Sequence, residues 1–254
     1  MLLAVDIGNT NIVLGVFAGE EMEAHFRIQT DSNKMPDEYL LTLKGLFDAR
    51  GIIPAGITRV VVSSVVPSLT ETLVEAVRFL SEAPLLTVTP YVKMNVRIET
   101  PNPEEVGSDL IANAVAAYDR YAGACITVDF GTALTFTAVS EDGVFKGAAI
   151  APGLKTASRA LSLHTAQLPD VELVVPESAI GENTIHALQA GIVVGYTGLV
   201  DRILQKMKAE LGEDVSVIAT GGLSGSLAAE ILQIDAIDPW LTLQGLRVLA
   251  RLNP

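Results

Sequence analysis

Apolar and polar positions along the chain follow two patterns: short continuous apolar runs, and longer stretches in which apolar residues recur at helical spacing. The short runs, rich in Val, Ile and Leu, are typical of buried strands, and the longer stretches are typical of helices that bury one face. Strands are predicted at residues 2–5, 12–17, 22–30, 59–66, 85–89, 125–128, 134–139, 144–150 and 215–219. Helices are predicted at residues 36–50, 69–80, 107–118, 154–162, 184–211 and 242–252. Strands in alternation with helices indicate a mixed α/β fold and not a sandwich of sheets.

The same local pattern occurs twice, once near the start of each half of the chain. A buried strand leads into Asp6 and a turn at residues 8–10, and a second buried strand leads into Asp129 and a turn at residues 130–133. A pattern that repeats at half the chain length indicates two similar domains, and with 254 residues each half can bury its own core. We therefore predict α/β domains at residues 1-118 and 119-254, with a loop at residues 90–105 that leads toward the cleft between them.

Each of the two turns is open to two interpretations. Gly and Asn are good residues for an ordinary hairpin turn. A turn of Gly, Asn and Thr also directs several backbone N–H groups to one side, which suits a phosphate group, and the carboxylate of Asp6 beside it can hold a hydrated Mg²⁺. The repetition favours the second interpretation, because two such hairpins facing each other across a cleft can bind a nucleoside triphosphate from both sides. This pair resembles the ATP clamp of the actin-like and sugar-kinase-like superfamily.

Composition narrows the classes of function. The net charge of −13, with no basic stripe to offset it, argues against binding of nucleic acid or of an anionic membrane. A phosphate site in such a protein must depend on backbone N–H groups and a metal ion. Cys125 is the single cysteine and lies in an apolar strand, so we expect no disulfide framework and a cytoplasmic location. No basic signal-peptide segment opens the chain, and the apolar stretch at residues 190–200 is expected to be too short to span a bilayer.

Two further segments carry candidate chemistry. Gly107, Ser108 and Asp109 mark the start of a helix, where an Asp is favoured as a capping or first-turn residue. The same carboxylate, when aimed into the cleft, can act as a general base, and the residues alone leave both roles open. The Gly-rich turn at residues 220–225 follows a strand and precedes a helix, a geometry that can cradle adenosine or phosphate.

Seven motifs occur in one order and spacing along the chain. They are Asp6-Ile7-Gly8-Asn9-Thr10-Asn11, Gly107-Ser108-Asp109, Asp129-Phe130-Gly131-Thr132-Ala133, Ala151-Pro152-Gly153-Leu154, Thr165-Ala166-Gln167-Leu168-Pro169, Gly181-Glu182-Asn183-Thr184 and Thr220-Gly221-Gly222-Leu223. This combination is similar to the type III pantothenate kinases of bacteria over essentially the full length. The resemblance implies two actin-like (ribonuclease H-like) domains with mixed sheets around an ATP cleft, and a homodimer. It also implies ATP-dependent phosphorylation of pantothenate to 4'-phosphopantothenate, the first step of coenzyme A biosynthesis, with Mg²⁺ and a monovalent cation, K⁺ or NH₄⁺.

The resemblance also implies roles for individual residues. Asp109 would be the base that takes the proton from the hydroxyl of pantothenate, Asp129 would hold the monovalent cation, and Asp6 would lie near Mg²⁺. Thr132 would contact ATP, and Thr184 would reach pantothenate through the dimer. The residues that would line the ATP phosphates are Asp6, Ile7, Gly8, Asn9, Thr10, Asn11, Ile12 and Val13. The positions that would surround pantothenate are Thr100, Gly107, Ser108, Asp109, Leu110 and Thr184.

Two positions depart from the family pattern. Leu110 stands where the family normally carries Arg, and Thr100 stands where it usually carries Tyr; both family residues contact pantothenate. An Arg–carboxylate contact is charge-assisted, and its loss costs about 1.5–3 kcal/mol, roughly ten- to a hundred-fold in affinity. The favoured hypothesis is an active pantothenate kinase whose acceptor contacts come from nearby residues such as Arg97 or Lys93. The alternatives are a kinase of the same fold with another small hydroxylated acceptor, and a non-catalytic regulator that binds nucleotide.

Overall fold

The computed structural model describes residues 1–212 and 214–254, apart from the side chains at positions 226 and 230. The strands are β1 (Leu2–Ile7), β2 (Asn11–Ala18), β3 (Glu21–Gln29), β4 (Arg59–Ser64), β5 (Leu85–Thr87), β6 (Arg97–Ile98), β7 (Cys125–Phe130), β8 (Ala133–Val139), β9 (Val144–Pro152), β10 (Ser216–Thr220) and β11 (Ala236–Ile237). The α-helices are α1 (Pro36–Asp48), α2 (Pro67–Leu80), α3 (Ser108–Tyr121), α4 (Leu154–His164), α5 (Thr184–Gln189), α6 (Gly195–Leu211), α7 (Ser224–Leu227) and α8 (Leu241–Leu252).

The described chain divides into two compact units. The first unit comprises Met1–Asn95, Pro101–Ala116 and Thr242–Pro254. The second unit comprises Val96–Thr100 and Ala117–Leu241. Each unit contains one mixed sheet, so the predicted α/β class with two similar halves is confirmed.

The sheet of the first unit has five strands in the order β3-β2-β1-β4-β5. Strand β1 is antiparallel to β2 and parallel to β4, which makes it the central strand. Its alternate residues Leu3, Val5 and Ile7 are fully buried in one core with apolar residues of α1 and α2. Because side chains alternate across a strand, Asp6 is directed to the opposite face of the sheet.

The sheet of the second unit repeats this arrangement. Its six strands lie in the order β11-β10-β7-β8-β9-β6, with β7 antiparallel to β8 and parallel to β10. Ile126, Val128 and Phe130 of β7 face the core of this unit, so Asp129 lies on the opposite face, as Asp6 does in the first sheet. The predicted repeat of strand, Asp and hairpin is therefore present in both units.

The C-terminal helix lies in a different unit from the one expected from a single boundary between residues 118 and 119. Helix α8 belongs to the first unit, whereas the sequence pattern assigned it to a C-terminal domain. The packing is close, since a Cβ atom added at Gly245 would lie 1.9 Å from the carbonyl oxygen of Ala112. Thr242 also donates a hydrogen bond of 2.8 Å to the buried Asn113. The fit of a glycine against a helix backbone has no signature in the hydrophobic pattern.

Short elements were missed for a related reason. The predicted loop at residues 90–105 contains β6, which pairs parallel to β9, and its Arg97 N–H donates to the carbonyl of Gly143 at 2.8 Å. Strand β11 was not predicted either. Both strands have two residues, too few for an alternating pattern, and tertiary pairing alone defines them.

The predicted long helix from residue 184 is interrupted. Helices α5 and α6 are joined by a π-helical segment, Ala190–Val194. The apolar stretch at residues 190–200 lies within the helical run Thr184–Leu211, which has 28 residues and one window long and apolar enough by composition to cross a membrane. A third of that window is buried, and a core helix passes the same test, so this is weak evidence for a membrane span.

Candidate active site

The first loop connects β1 and β2, and two hydrogen bonds from the end of β3 fix its conformation. The N–H of Gly8 donates to the carbonyl of Asn11 at 3.0 Å, so this N–H is used inside the hairpin. Thr30, just after β3, donates from its hydroxyl to the carbonyl of Gly8 at 2.6 Å and from its N–H to the carbonyl of Thr10 at 3.0 Å. Asn9, Thr10 and Asn11 are exposed at the tip. Thr30 was not predicted, because only the pairing of β3 with β2 brings it to the loop.

The eight residues predicted to line the ATP phosphates differ in exposure. Ile7 and Ile12 are fully buried and paired in register, so their side chains belong to the core of the first unit. Val13 is half-buried opposite Asp6. Of these eight residues, Asp6, Asn9, Thr10 and Asn11 carry polar side chains.

The carboxylate of Asp6 lies at the C-terminal end of β1, next to β4. Ser63 is its neighbour in the parallel register, and the Ser63 hydroxyl donates to Oδ1 of Asp6 at 2.8 Å. Ser63 is fully buried. Sequence analysis missed this residue, although a serine at the end of the apolar run Val60–Val62 was the available signal.

Asp109 lies in the first turn of α3, the helix position at which the sequence predicted a capping or first-turn residue. Its Oδ1 accepts a hydrogen bond of 2.8 Å from the N–H of Leu110, which is a local bond at a helix start. Burial raises the pKa of the Asp109 carboxyl above its usual value, while the N–H groups of Leu110 and of Asp109 itself act in the opposite direction. A Cβ atom at Gly107 would lie 2.5 Å from the same Oδ1, so a larger residue there would displace this carboxylate.

The start of α3 is bound to the end of β4. The hydroxyl of Ser108 accepts from the N–H of Ser64 at 2.9 Å and donates to the carbonyl of Ser64 at 3.0 Å. It also lies 3.0 Å from the hydroxyl of Ser63. The structure thus brings Asp6, Ser63, Ser108 and Asp109 together within the first unit.

The two positions that depart from the family pattern are both partly or fully enclosed. Leu110 is buried, so it has the environment of a core residue and not of a ligand contact. Thr100 has a buried hydroxyl oxygen for which the described residues supply no hydrogen-bond partner. Arg97, suggested above as a replacement, is exposed and paired with Glu99 at 3.3 Å and with Asp142 at 2.9 Å.

The second loop, between β7 and β8, is fixed by α4. The carbonyl of Thr132 accepts from the N–H of Gly153 at 3.0 Å and from the hydroxyl of Thr156 at 2.7 Å. Thr132 itself is exposed. Gly153 belongs to a motif noted in the sequence, whereas the role of Thr156 was missed because it depends on where α4 packs.

Asp129 lies beside two glycines whose backbones its carboxylate approaches closely. A Cβ atom at Gly221 would lie 2.5 Å from Oδ1 of Asp129, and one at Gly131 would lie 3.4 Å from it. Gly221 also has φ of +93°, a conformation that favours glycine. It follows β10, whose Thr220 is the register partner of Asp129. The Gly-rich turn is therefore adjacent to this carboxylate; α7, which follows it, has only four residues.

Thr184 is exposed at the start of α5 in the second unit. Asn183 caps this helix, because its side-chain oxygen accepts from the N–H of His186 at 3.0 Å. The preceding turn is tight: a Cβ atom at Gly181 would lie 2.2 Å from the backbone nitrogen of Ala187. The motif at residues 181–184 is thus explained by the helix start, with Thr184 as its first residue.

Metal binding would depend on single carboxylates. Among the residues that the structure describes, no group of three or more His, Cys, Asp or Glu side chains could hold an ion. One carboxylate beside a phosphate-binding loop fits Mg²⁺, which is usually held by one or two carboxylates together with substrate phosphates and water. Asp129 is a second carboxylate, in the corresponding position of the other sheet.

The fold defines the class of protein. A solved structure of a protein assigned as a 2-dehydro-3-deoxygalactonokinase from Sinorhizobium meliloti matches with a TM-score of 0.63, 13% identity, and coverage of 99% of this chain and 96% of that chain. A Baf family transcriptional activator from Campylobacter jejuni matches with a TM-score of 0.60, 18% identity, and coverage of 99% and 98%. At these identities the likeness concerns the fold, which is that of the actin-like and sugar-kinase proteins.

Sequence comparison gives the family. The family model described as type III pantothenate kinase matches residues 2–206. Type III pantothenate kinases from Moorella thermoacetica and Myxococcus xanthus are 49% and 47% identical, and the alignments cover 100% and 98% of this chain and 100% and 97% of the relatives. The chain therefore belongs to the type III pantothenate kinase family, whose members transfer phosphate to pantothenate in coenzyme A biosynthesis.

Proposed function

We propose that this chain transfers the γ-phosphoryl group of ATP to the primary hydroxyl of pantothenate and forms 4'-phosphopantothenate. The observation that carries this proposal is the desolvated carboxylate of Asp109, fixed at the start of α3 and joined through serine hydroxyls to Asp6. Phosphoryl transfer depends chiefly on positioning and on charge neutralisation. A base beside a carboxylate suited to Mg²⁺ supplies both in a chain of this family.

Asp109 accepts the proton of the acceptor hydroxyl and orients that hydroxyl for attack. A raised pKa suits this role, because a stronger base accepts a proton more readily, provided that it is still ionised at the working pH. The Leu110 N–H holds one carboxylate oxygen in place. Loss of such a base costs about 10²–10⁴ in rate.

ATP binds with its phosphates along residues 6–13, and Thr132 contacts it from the second loop. Asp6 would hold Mg²⁺, which neutralises charge on the phosphates when it is bound. The exposed turn residues Asn9, Thr10 and Asn11 support a ligand contact, whereas Ile7 and Ile12 contribute only through their backbone. Asp129, in the corresponding position of the other sheet, would hold the monovalent cation, K⁺ or NH₄⁺.

The acceptor site uses Gly107, Ser108 and Asp109 at the start of α3, with Thr100 and Thr184. The buried, unpartnered hydroxyl of Thr100 supports a polar contact to substrate, since an unsatisfied buried group costs free energy. Leu110 is buried and offers no polar contact at the position where the family resemblance implies Arg. Arg97 is paired with two carboxylates, so of the two replacements suggested from the sequence we favour Lys93 as the cation that meets the carboxylate of pantothenate.

The chain acts as a homodimer. Ile180, Ile185 and Val194 are large apolar residues with exposed side chains around the helical run of the second unit. On the same run, a Cβ atom added at Gly191 or Gly195 would meet no heavy atom within 4 Å. An exposed apolar surface of this kind supports a contact with a second copy. Light scattering is expected to give a dimer that Val194→Glu dissociates, while the exposed Leu41→Glu of the first unit leaves it intact.

We also infer a cytoplasmic enzyme. Burial raises the pKa of the Cys125 thiol to about 12, so this cysteine is neither reactive nor paired. Cell fractionation checks the location, and an enzyme that remains with membranes after a salt wash contradicts it.

The experiment that tests the function is ATP-dependent phosphorylation of pantothenate with Mg²⁺ and K⁺, beside Asp109→Asn. Turnover that falls by about 10²–10⁴ in the variant is expected. The burial of Leu110 favours one alternative, a different hydroxylated acceptor, so the assay includes a panel of small alcohols with and without a carboxylate. ATP binding without turnover of pantothenate at millimolar concentration would overturn the proposed substrate. Turnover of another alcohol would identify the alternative.

A further inference from the structure

Two consecutive contacts join Asp6 to Ser108, the first residue of α3, through serine hydroxyls. Ser63 donates to Oδ1 of Asp6 at 2.8 Å, and its oxygen lies 3.0 Å from the hydroxyl oxygen of Ser108. The Ser108 hydroxyl contacts the N–H of Ser64 at 2.9 Å and its carbonyl at 3.0 Å. Ser63 is fully buried and Ser108 is nearly so, with 7% of its surface exposed.

The number of hydrogens restricts how this network can be arranged. Each serine hydroxyl has one hydrogen to donate. The hydrogen of Ser63 goes to the Asp6 carboxylate, so the oxygen of Ser63 remains as an acceptor. The single hydrogen of Ser108 is then divided between the oxygen of Ser63 and the carbonyl of Ser64. A change at Asp6 that redirects the hydrogen of Ser63 would therefore alter the hydrogen bonds of Ser108, the first residue of α3.

Packing alone does not account for a serine at position 63. The preceding residues of β4, Val60, Val61 and Val62, are buried and apolar, as expected for the interior of a sheet. A buried hydroxyl has to be hydrogen-bonded to avoid a penalty, and the partner that satisfies Ser63 is a carboxylate. Hydrogen bonds to an ionised acceptor are stronger than those between neutral groups, so Ser63 restricts the orientation of Asp6.

We propose that Ser63 is a positioning residue for the Asp6 carboxylate, and that Ser108 links this carboxylate to the helix that carries Asp109. The pair of serines thereby sets the position of the cation-binding carboxylate relative to the base. The proposal rests on the function proposed above for Asp6 and Asp109. Partners that orient a metal-binding carboxylate contribute to metal affinity, and their loss typically costs 10–100-fold.

Ser64 provides a matched control from the same strand. Its hydroxyl contacts the start of α2, where it lies 2.7 Å from the hydroxyl of Thr70 and accepts from the N–H of Val66 at 3.2 Å. Ser64→Ala therefore removes a serine hydroxyl of β4 without removing a donor to Asp6. A general loosening of the strand would affect both serine variants, whereas loss of positioning would affect only Ser63→Ala.

The test measures Mn²⁺ binding to the ATP-loaded protein by electron paramagnetic resonance, which needs no acceptor. Ser63→Ala is expected to weaken Mn²⁺ binding by about 10–100-fold, and Ser64→Ala by less than about threefold. In an Asp6→Asn background, Ser63→Ala is expected to have no further effect. Ser63→Cys keeps a side chain of similar size and a weak donor, so its Mn²⁺ affinity is expected to lie between those of wild type and Ser63→Ala. This variant replaces Ser63→Ala in the test if the alanine variant does not fold.

Steady-state kinetics give a second readout. Ser63→Ala is expected to raise the Mg²⁺ concentration for half-maximal rate and to leave the KM for pantothenate unchanged. Ser108→Ala is expected to lower kcat and to shift its pH profile, because the first turn that holds Asp109 loses its contact with β4.

Three results would overturn the proposal. The first is Mn²⁺ binding of Ser63→Ala and Ser63→Cys within about twofold of wild type, and the second is an equal loss in Ser64→Ala. The third is Mn²⁺ binding that does not change in Asp6→Asn. A wild-type protein that binds Mn²⁺ with ATP and fails to phosphorylate pantothenate would refute the proposed function alone, because the role of Ser63 is measured by metal binding.

Discussion

The two hairpin loops share a sequence pattern and a position in their sheets, yet they are held in different ways. In the first unit, the carboxylate of Asp6 is held by the hydroxyl of Ser63 on the parallel neighbour β4. In the second unit, the corresponding neighbour of Asp129 is Thr220 on β10. Gly221 follows Thr220, and a Cβ atom on it would lie only 2.5 Å from Oδ1 of Asp129. The hydroxyl of Ser63 thus donates to the first carboxylate, whereas the second carboxylate packs closely against the backbone at Gly221.

Under the proposed assignment, Asp6 would hold Mg²⁺ and Asp129 would hold a monovalent cation. A small ion such as Mg²⁺ demands strict geometry, which suits an oriented carboxylate. The two hairpins thus share a sequence pattern, whereas the residues beside their carboxylates on the neighbouring strands differ.

The strongest test of the comparison is to neutralise each carboxylate in turn. Asp6→Asn is expected to raise the Mg²⁺ requirement by about 10–100-fold with little change in the K⁺ requirement, because a charged contact is lost at one site only. Asp129→Asn is expected to do the reverse. Rate measurements across titrations of each ion check this, and variants that affect both ions equally would contradict the division of roles.

A second test uses the glycines. Gly221→Ala places a methyl group 2.5 Å from the Asp129 carboxylate at φ of +93°, so it is expected to lower stability by about 1–3 kcal/mol and to weaken the response to K⁺. Gly8→Ala meets only the Asn11 carbonyl, at 3.0 Å, and is expected to cost less. Thermal unfolding of both variants measures the difference. A larger loss in Gly8→Ala would refute this ranking of the two loops.

The threonines that fasten the loops form a third, matched pair. Thr30 donates to the carbonyl of Gly8, and Thr156 donates to the carbonyl of Thr132. Substitution by Val removes each hydroxyl and keeps the shape of the side chain. Each is expected to raise the KM for ATP by about two- to tenfold, the equivalent of one hydrogen bond of about 0.5–1.5 kcal/mol. An unchanged KM in either variant would mean that the loop on that side does not need its threonine.

The smallest expected effect is on stability at Asp109. Its pKa is raised on folding, so the protonated form stabilises the fold below the ordinary pKa of Asp, and this stability is lost as pH rises through the raised value. Asp109→Asn removes the cost of the buried charge and is expected to raise Tm at neutral pH. The gain should vanish toward about pH 4. A Tm that falls in the variant at neutral pH would contradict the direction of the shift.

Sequence patterns were sufficient for the elements that bury many residues. The apolar runs in β1, β4 and β7 and the helical period of α2 and α3 depend on local alternation, which the chain displays directly. The Asp residues at both hairpins and Asp109 at a helix start followed from motifs and family resemblance.

The residues that sequence analysis missed depend on contacts between distant segments. Ser63, Thr30 and Thr156 each bind a group at least 22 residues away, and no local pattern distinguishes them from other serines and threonines. The suggestion that Arg97 replaces the family Arg also depended on proximity in sequence, and the ion pairs with Glu99 and Asp142 argue against it.

The π-helical segment Ala190–Val194 also acts as a phase adjustment within one long helix. A residue turns an α-helix by about 100°, and a π-type turn contains one additional residue, so the segments before and after it present different faces than a uniform helix would. Val200 and Leu204 fix the later part in the core of the second unit. The direction of Thr184, one helical segment earlier, is therefore set by the length of this interruption. A one-residue deletion there would keep the composition of the helix and rotate Thr184 away from its present direction.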